Sequence, residues 1–305
     1  MYYIPSPPSW SSVIEIGPFS IHVYALAILF GIALAVYFGD KRFYLRGGEK
    51  GTVLDTAIWI VPISVIGARL YHCISNWNQY FPPNGDFFSI FRIWEGGLAI
   101  IGGVSFGALS AYIFLKYFRN VRLGPFADSI APYIALAQVF GRIGNYFNQE
   151  LFGLPTTLPW GLKVDSAHTP SEYPYGTLFH PTFLYEQILN LIAFSVLLFI
   201  DKKKQLRSGQ LFCLYMIFYG CIRFVLEFIR IDKAYVLLGI RFNGWAALIV
   251  VIVGIVAYIY CGRRAKTTFY SKEEQSAFIL YDEKNRESLI DVASVTNIHK
   301  NDSKD

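Results

Sequence analysis

The sequence predicts an all-α integral membrane protein with about seven transmembrane helices, its N-terminus outside and its C-terminus cytoplasmic. Three observations predict it. Hydrophobic residues make up 54% of the 305-residue chain and charged residues only 16%, with a mean hydropathy of +0.38, which is too apolar for a soluble chain of this length. Apolar segments stand at about 17–39, 53–75, 96–116, 124–146, 182–200, 209–229 and 243–261, each close to the roughly 20 residues that cross a ~30 Å hydrocarbon core. Lys and Arg gather in alternate connections between these segments, which sets an orientation.

Taken in order, the stretches Gly17 to Gly39, Gly96 to Leu115 and Phe242 to Gly262 carry no Asp, Glu, Lys or Arg and read as plain spans. The other segments carry charge: Asp55 and Arg69 in the second, Asp128 and Arg142 in the fourth, Glu186 in the fifth, Arg223 and Glu227 in the sixth. Lys41, Arg42, Arg46 and Lys50 follow span one, Lys116, Arg119 and Arg122 span three, Lys202, Lys203, Lys204 and Arg207 span five, and Arg263, Arg264 and Lys266 span seven. These are the expected cytoplasmic ends. Arg230, Lys233 and Arg241 fall on the nominally outer side and run against the rule, unless they serve function. Trp10, Trp77, Trp94 and Trp160 stand where interfacial aromatics belong.

The segment 147–180 is rich in Pro, Gly and Thr, and a connection this long reads as an ordered external cap to a seven-span domain over 1–262. From Thr267 the chain turns charged, with Glu273, Glu274, Lys284, Arg286 and Glu287, so 263–305 is expected as a cytoplasmic tail. The N-terminus lacks the basic region and cleavage site of a secretory signal, so the first span is expected to stay.

Composition also excludes. High apolar content rules out disorder, and Gly and Pro show no collagen-like period. Cys73, Cys213, Cys221 and Cys261 have no CxxC spacing and the His residues no ligand pairing, so neither disulfide, metal nor cofactor is expected. The +5 net charge lies between apolar runs rather than on one face, which argues against nucleic acid.

Charge at membrane depth costs about 2.5–3.5 kcal/mol per residue on insertion scales, so the exceptions mark the candidate site. In GRIGNYFNQELFG, Arg142 and Asn145 are spaced i, i+3 and share a helix face, with Gly141 and Gly144 beside them. Small residues there admit a ligand or simply let two helices pack closely. In RFVLEFIR, Arg223, Glu227 and Arg230 fall on one helical stripe. An Arg–Glu pair there is either self-neutralising structure or, with two arginines to one glutamate, an excess of positive charge suited to an anion. Arginines from two spans make a phosphate clamp, because the planar fork matches phosphate oxygens, and in a membrane that points to phospholipid. Tyr24 with His22, Arg69 with His72, and Glu186 in HPTFLYE add polar groups at similar depth. A transporter of an anionic or lipid substrate would also hold buried arginines, but the paired broken helices of an inverted repeat are not visible.

The block GRIGNYFNQELFG at 141–153 resembles the signature of the prolipoprotein diacylglyceryl transferases, with support from IHVYALAILFG, IWEGGLAIIGG at 93–103, HPTFLYE at 180–186 and RFVLEFIR at 223–230. The resemblance covers roughly residues 15–262. It implies a bacterial cytoplasmic (inner) membrane enzyme with seven spans and an external N-terminus. The implied reaction moves the diacylglyceryl group of phosphatidylglycerol onto the lipobox cysteine of a preprolipoprotein, leaving a thioether and releasing glycerol 1-phosphate. It further implies that Arg142 binds the lipid phosphate, that Asn145, Glu150 and Gly153 complete the signature site, that Arg223 and Glu227 face it, and that Tyr24 shares the pocket. One departure matters. Many members read HGG where this chain has Ile101-Gly102-Gly103, so a histidine sometimes taken as the thiol's base is missing. Glu150, Glu227, Tyr24, or a thiol acidified by the arginines remain as alternatives.

Overall fold

In the computed structural model, residues 3–8, 11–16, 19–81, 85–93, 96–232, 235–264 and 266–275 are described. A two-stranded hairpin, β1 (Val13–Ile16) and β2 (Phe19–His22), leads into α1 (Val23–Leu45). Helices α2 (Thr52–Ser75), the single turn α3 (Trp77–Tyr80), α4 (Ile100–Ile113) and α5 (Leu123–Phe147) follow. The strand pair β3 (Leu162–Lys163) and β4 (Leu178–Phe179) precedes α6 (Thr182–Lys203) and α7 (Gln210–Glu227). A short pair, β5 (Val236–Leu237) and β6 (Ile240–Arg241), then opens α8 (Phe242–Arg264).

Six of these helices are long and apolar enough to cross a membrane, α4 counting through its terminal π turn to Phe118. The protein is thus an all-α multi-pass membrane protein. The exception among the long helices is α5, whose inward positions include Asp128, Ser129 and Asn145. Polarity is inverted relative to a soluble fold: Ile58, Ile100, Val104 and Ile249 are more than half exposed, while Arg69, Asp128, Asn145, Glu186, Asn190 and Glu227 are buried. Apolar side chains facing lipid cost nothing, whereas polar ones must find partners inside.

The helices begin and end for local reasons. The first starts at Val23 rather than near 17, because Phe19–His22 pairs as a strand with Val13–Ile16 and Val23 N–H bonds Ser12 C=O at 3.0 Å. Helix α4 starts at Ile100, since Gly96 and Gly97 adopt φ of 89° and 77°, left-handed values that glycine tolerates. Helix α7 ends at Glu227, so Arg230 lies beyond the helix and off the stripe expected from its spacing.

Clustering of the backbone separates two compact units. The first comprises residues 1–42 and 124–268. Within it α7 packs along α8, α6 on α7, and α1 on α5, where Phe30 meets Phe140 and Phe38 stacks on Tyr133. The segment 147–181 has its own apolar core of Leu162, Val164, Phe179 and Phe183, with Tyr146, Phe152 and Tyr173 against it.

The second unit comprises residues 43–123 and 269 onward. Here α2 packs on α4 with Gly102 so close that a Cβ would stand 2.3 Å from the Gly67 carbonyl oxygen. Arg69 serves structure: its guanidinium donates to the carbonyls of Ile90, Gly96 and Gly97 at 2.9, 2.6 and 3.1 Å, tying down the loop before α4. Ile101 is half exposed. The start of the charged tail is packed rather than loose. Tyr270 is buried, meets Phe43 edge-on, and has Arg122 over its ring at 4.9 Å. Trp10, Trp94, Lys233 and the tail residues Lys284, Arg286 and Glu287 lie outside the described residues.

Candidate functional site

The candidate site lies wholly within the first unit and grows from the last turn of α5. Arg142 and Asn145 fall on one face, as their spacing requires, and Arg142 Nη1 donates to Asn145 Oδ1 at 2.9 Å. Asn145 Nδ2 in turn donates to Glu150 Oε1 at 2.7 Å, and Asn148 Nδ2 reaches the same oxygen at 3.3 Å. Glu150 can fold back because the chain turns sharply after α5, with Gln149 at φ 50° and Leu151 at φ 57°. Left-handed backbone at non-glycine residues needs support. Gln149 receives it from Asp165, donating Nε2 to Oδ2 at 2.6 Å and accepting the Asp165 N–H at 2.9 Å.

Gly144 and Gly153 set the clearances. A Cβ at Gly144 would lie 2.4 Å from Tyr24 Cδ2 and 2.9 Å from its Cα, so this glycine is a close-packing position that brings Tyr24 of α1 beside α5, within electrostatic range of Glu150 and Arg142. Gly141 faces open space. Gly153 donates its N–H to His180 C=O at 2.8 Å, and a Cβ there would meet Ile229 C=O at 2.7 Å. It therefore lets the cap segment run against both the start of α6 and the end of α7. HPTFLYE works alongside it: His180 Nδ1 and Trp160 Nε1 both lie 3.0 Å from Tyr185 Oη, and Glu186 points into the bundle.

From Arg142 the charges alternate across three helices. Arg142 Nη2 donates to Glu186 Oε1. The other oxygen of Glu186 lies 3.8 Å from Arg223 Nη1, and Arg223 Nη2 is 3.2 Å from Glu227 Oε2. Glu227 Oε1 is met by Arg241 Nε at 3.3 Å and by Asn243 Nδ2 at 3.4 Å. Arg241 continues to the Arg230 carbonyl at 2.8 Å and to Asp232 Oδ2 at 3.1 Å, and Asp232 takes Arg230 in a two-bond fork at 2.9 Å each. Burial alone would raise the Asp232 carboxyl, but the Arg230 hydrogen bond and the charges of Arg230 and Arg241 outweigh it and hold the group below its ordinary value. Glu186 and Glu227 are 4% and 3% exposed, depths at which a carboxylate persists only when paired.

This arrangement corrects the charge count read from the sequence. Arg223 and Arg230 do not leave a surplus over Glu227, because Arg230 belongs to Asp232 and Arg223 shares Glu186. With Glu150 included, four arginines face four carboxylates. Within this balance Arg223 keeps binding capacity: its Nη1, though near Glu186, has no hydrogen-bond partner among the described residues, and neither has Glu227 Oε2. Arg142, Asn145, Glu150, Tyr24, Arg223 and Glu227 thus gather in one place. Sequence reasoning marked Glu186 only as a further polar group at membrane depth and Arg241 only as a basic residue on the unexpected side, and it missed Asp232 and Asn243. The signal for Arg241 was the basic loop on the wrong side; Asn243 had none. A cavity of about 430 Å³ opens beside the chain, lined by Leu151, Phe152, Tyr173 and Asp232 among others.

The fold and site together define a multi-pass helical membrane protein that buries a ladder of alternating arginines and carboxylates within one unit. The profile of one family, prolipoprotein diacylglyceryl transferase, matches residues 11–260. The chain belongs to that family. A relative from Bifidobacterium longum (strain DJO10A), named phosphatidylglycerol–prolipoprotein diacylglyceryl transferase, is 45% identical over 270 residues, covering 84% of this chain and 85% of its own. A relative of the same name from Bifidobacterium adolescentis is 44% identical over 278 residues, with coverage of 87% and 82%. One from Streptomyces coelicolor, with the same name numbered 2, is 41% identical over 262 residues, with coverage of 86% and 82%.

Proposed function

We propose that this protein transfers the diacylglyceryl group of phosphatidylglycerol to the lipobox cysteine thiol of preprolipoproteins, forming a thioether and releasing glycerol 1-phosphate. The observation that carries the reading is the family match over residues 11–260, which takes in every residue of the buried ion ladder. The enzyme works in the bacterial inner membrane, with α5 as a seventh span, the N-terminus and the 147–180 cap outside, and the tail in the cytoplasm.

The residues fit the chemistry. The glyceryl carbon is unactivated, so the thiol must arrive as thiolate and the departing phosphate must have its growing charge held. Arg142 and Arg223 hold that phosphate, Arg142 from a face fixed by Asn145 and Arg223 through Nη1, which makes no hydrogen bond among the described residues. Asn145 also orients Glu150, Gly153 admits the cap backbone, and Tyr24 closes the pocket from α1. Glu227 keeps Arg223 and Arg241 in register. Incubating the purified protein with phosphatidylglycerol and a lipobox peptide tests the reading: the peptide should gain the mass of one diacylglyceryl group at its cysteine. An unmodified peptide beside an active relative would refute it.

A further inference from the structure

The ion ladder sets the entering lipid a problem of charge. Glu186 stands between the two arginines that hold the phosphate: its Oε1 accepts from Arg142 Nη2, and its Oε2 lies 3.8 Å from Arg223 Nη1, a charge contact without a hydrogen bond. Four arginines already face four carboxylates there, so a phosphodiester brings one negative charge too many. In a buried site a surplus charge is relieved by taking up a proton more readily than by being held. The acceptor thiol has one to lose.

Resting on the function proposed above, we propose that Glu186 is the base of the transfer: it holds Arg142 and Arg223 until the lipid phosphate replaces it, and once displaced it accepts the thiol proton. The other carboxylates are placed differently. Glu227 keeps Arg241 and Asn243 even when Arg223 turns to phosphate, and Glu150 is held by the amides of Asn145 and Asn148, which the phosphate does not remove. Asp232 stays with Arg230 and Arg241. Glu186 alone among these has both its cationic partners assigned to the phosphate. The groups facing it are Arg142 from α5 and Arg223 and Tyr215 from α7.

The bonds balance. The S–H proton passes to Glu186, the sulfur electron pair forms the bond to the glyceryl carbon, and the carbon–oxygen bond to phosphate breaks with its pair on oxygen. The monoester formed at first bears one more negative charge than the diester, held by both arginines; it then takes the proton from Glu186 and leaves with the charge the diester brought. The carboxylate then returns between Arg142 and Arg223.

The experiment compares wild-type protein and Glu186→Gln in detergent with phosphatidylglycerol, using one lipobox peptide with cysteine and one with selenocysteine. A selenol is ionised at neutral pH and needs no base. With cysteine the variant should lose ~10²–10⁴-fold in rate; with selenocysteine it should lose far less, while lipid retention read by native mass spectrometry is kept or increased. Equal losses on both peptides would make Glu186 a structural residue and overturn the proposal, as would a wild-type rate with cysteine. If the Gln variant does not accumulate, Glu186→Asp is read the same way: a raised selenocysteine-to-cysteine ratio supports the base, an unchanged ratio refutes it. Failure of the wild-type protein to modify either peptide would instead sink the proposed function.

Discussion

Arg241, on the two-residue strand β6, reaches back to Glu227 at the end of α7 with Nε 3.3 Å from Oε1, so the residue that looks misplaced by the charge rule is the outer clamp of the ion ladder. Its remaining nitrogens go to the Arg230 carbonyl at 2.8 Å and to Asp232. Three targets in three directions suit a guanidinium and not an ammonium. Arg241→Ala should cost roughly 3–5 kcal/mol, the range for breaking a buried pair, and Arg241→Lys should recover only part of it. Thermal unfolding in detergent reads both; a Lys variant as stable as wild type would show that charge alone is needed.

Arg142 makes the same argument for activity. Its two terminal nitrogens serve different partners, Asn145 and Glu186, and a phosphate would take both. Arg142→Lys keeps the charge but loses the fork, so transfer should fall about 10–100-fold, corresponding to one hydrogen bond to a charged group at about 1.5–3 kcal/mol. Wild-type turnover at normal protein level would remove Arg142 from the phosphate site.

The paired glycines of the signature block should behave oppositely. At Gly144 a methyl would stand 2.4 Å from the Tyr24 ring, while at Gly141 it meets nothing within 4 Å. Gly144→Ala should therefore displace Tyr24 and cost on the order of 10²-fold in rate, the usual penalty for an ångström of misplacement. Gly141→Ala should leave activity intact and stabilise the helix slightly, by at most ~1 kcal/mol. Transfer assays on both variants check this, and equal effects would contradict the packing role.

Much of this architecture was legible in the sequence because lipid imposes a simple code: long apolar runs, charge at their ends, and exceptions that mark function. The helices stand within a few residues of the apolar segments, and departures occur where local structure overrides the run, as in the strand pairing of Phe19–His22 and the left-handed turn at Gly96-Gly97. The site was legible where its residues share one helix face, as Arg142 and Asn145 do. Partnership across helices was not. Glu186 lies 44 positions from Arg142, and no spacing rule reveals that it bridges Arg142 and Arg223. Nor does hydropathy show that Arg230, three residues past Glu227, falls beyond the helix.

A fourth prediction concerns the opposite end of the first unit, where Asp128 of α5 caps α7. Its carboxylate accepts the N–H of Gly209 at 2.7 Å and of Phe212 at 3.0 Å, and the Thr268 hydroxyl at 3.1 Å. Gly209, the capping position of α7, has no side chain to do this itself. Asp128→Ala leaves buried N–H groups unsatisfied at about 1–3 kcal/mol, whereas Asp128→Asn keeps one acceptor and loses only the charge at the helix terminus, about 0.3–1 kcal/mol up to ~2 when buried. Unfolding midpoints should fall in the order wild type, Asn, Ala, and an Asn variant as damaged as Ala would show that charge dominates the cap.

The last prediction returns to Ile101. Its side chain is half exposed on α4, while the next residue, Gly102, is pressed against the Gly67 carbonyl, so a substitution at 101 can be accommodated where one at 102 cannot. If the thiol's proton goes to a carboxylate of the ion ladder, a histidine at 101 supplies nothing the protein lacks. Ile101→His should then change the transfer rate by no more than about 2–3-fold, the scale of an ordinary surface substitution. Gly102→Ala should be strongly destabilising for steric reasons alone. The decisive measurement is the rate of Ile101→His beside wild type across neutral pH. A gain of orders of magnitude, with a new inflection near the ordinary imidazole range of ~6.5, would mean that the native site is missing its base and that no carboxylate fills that role.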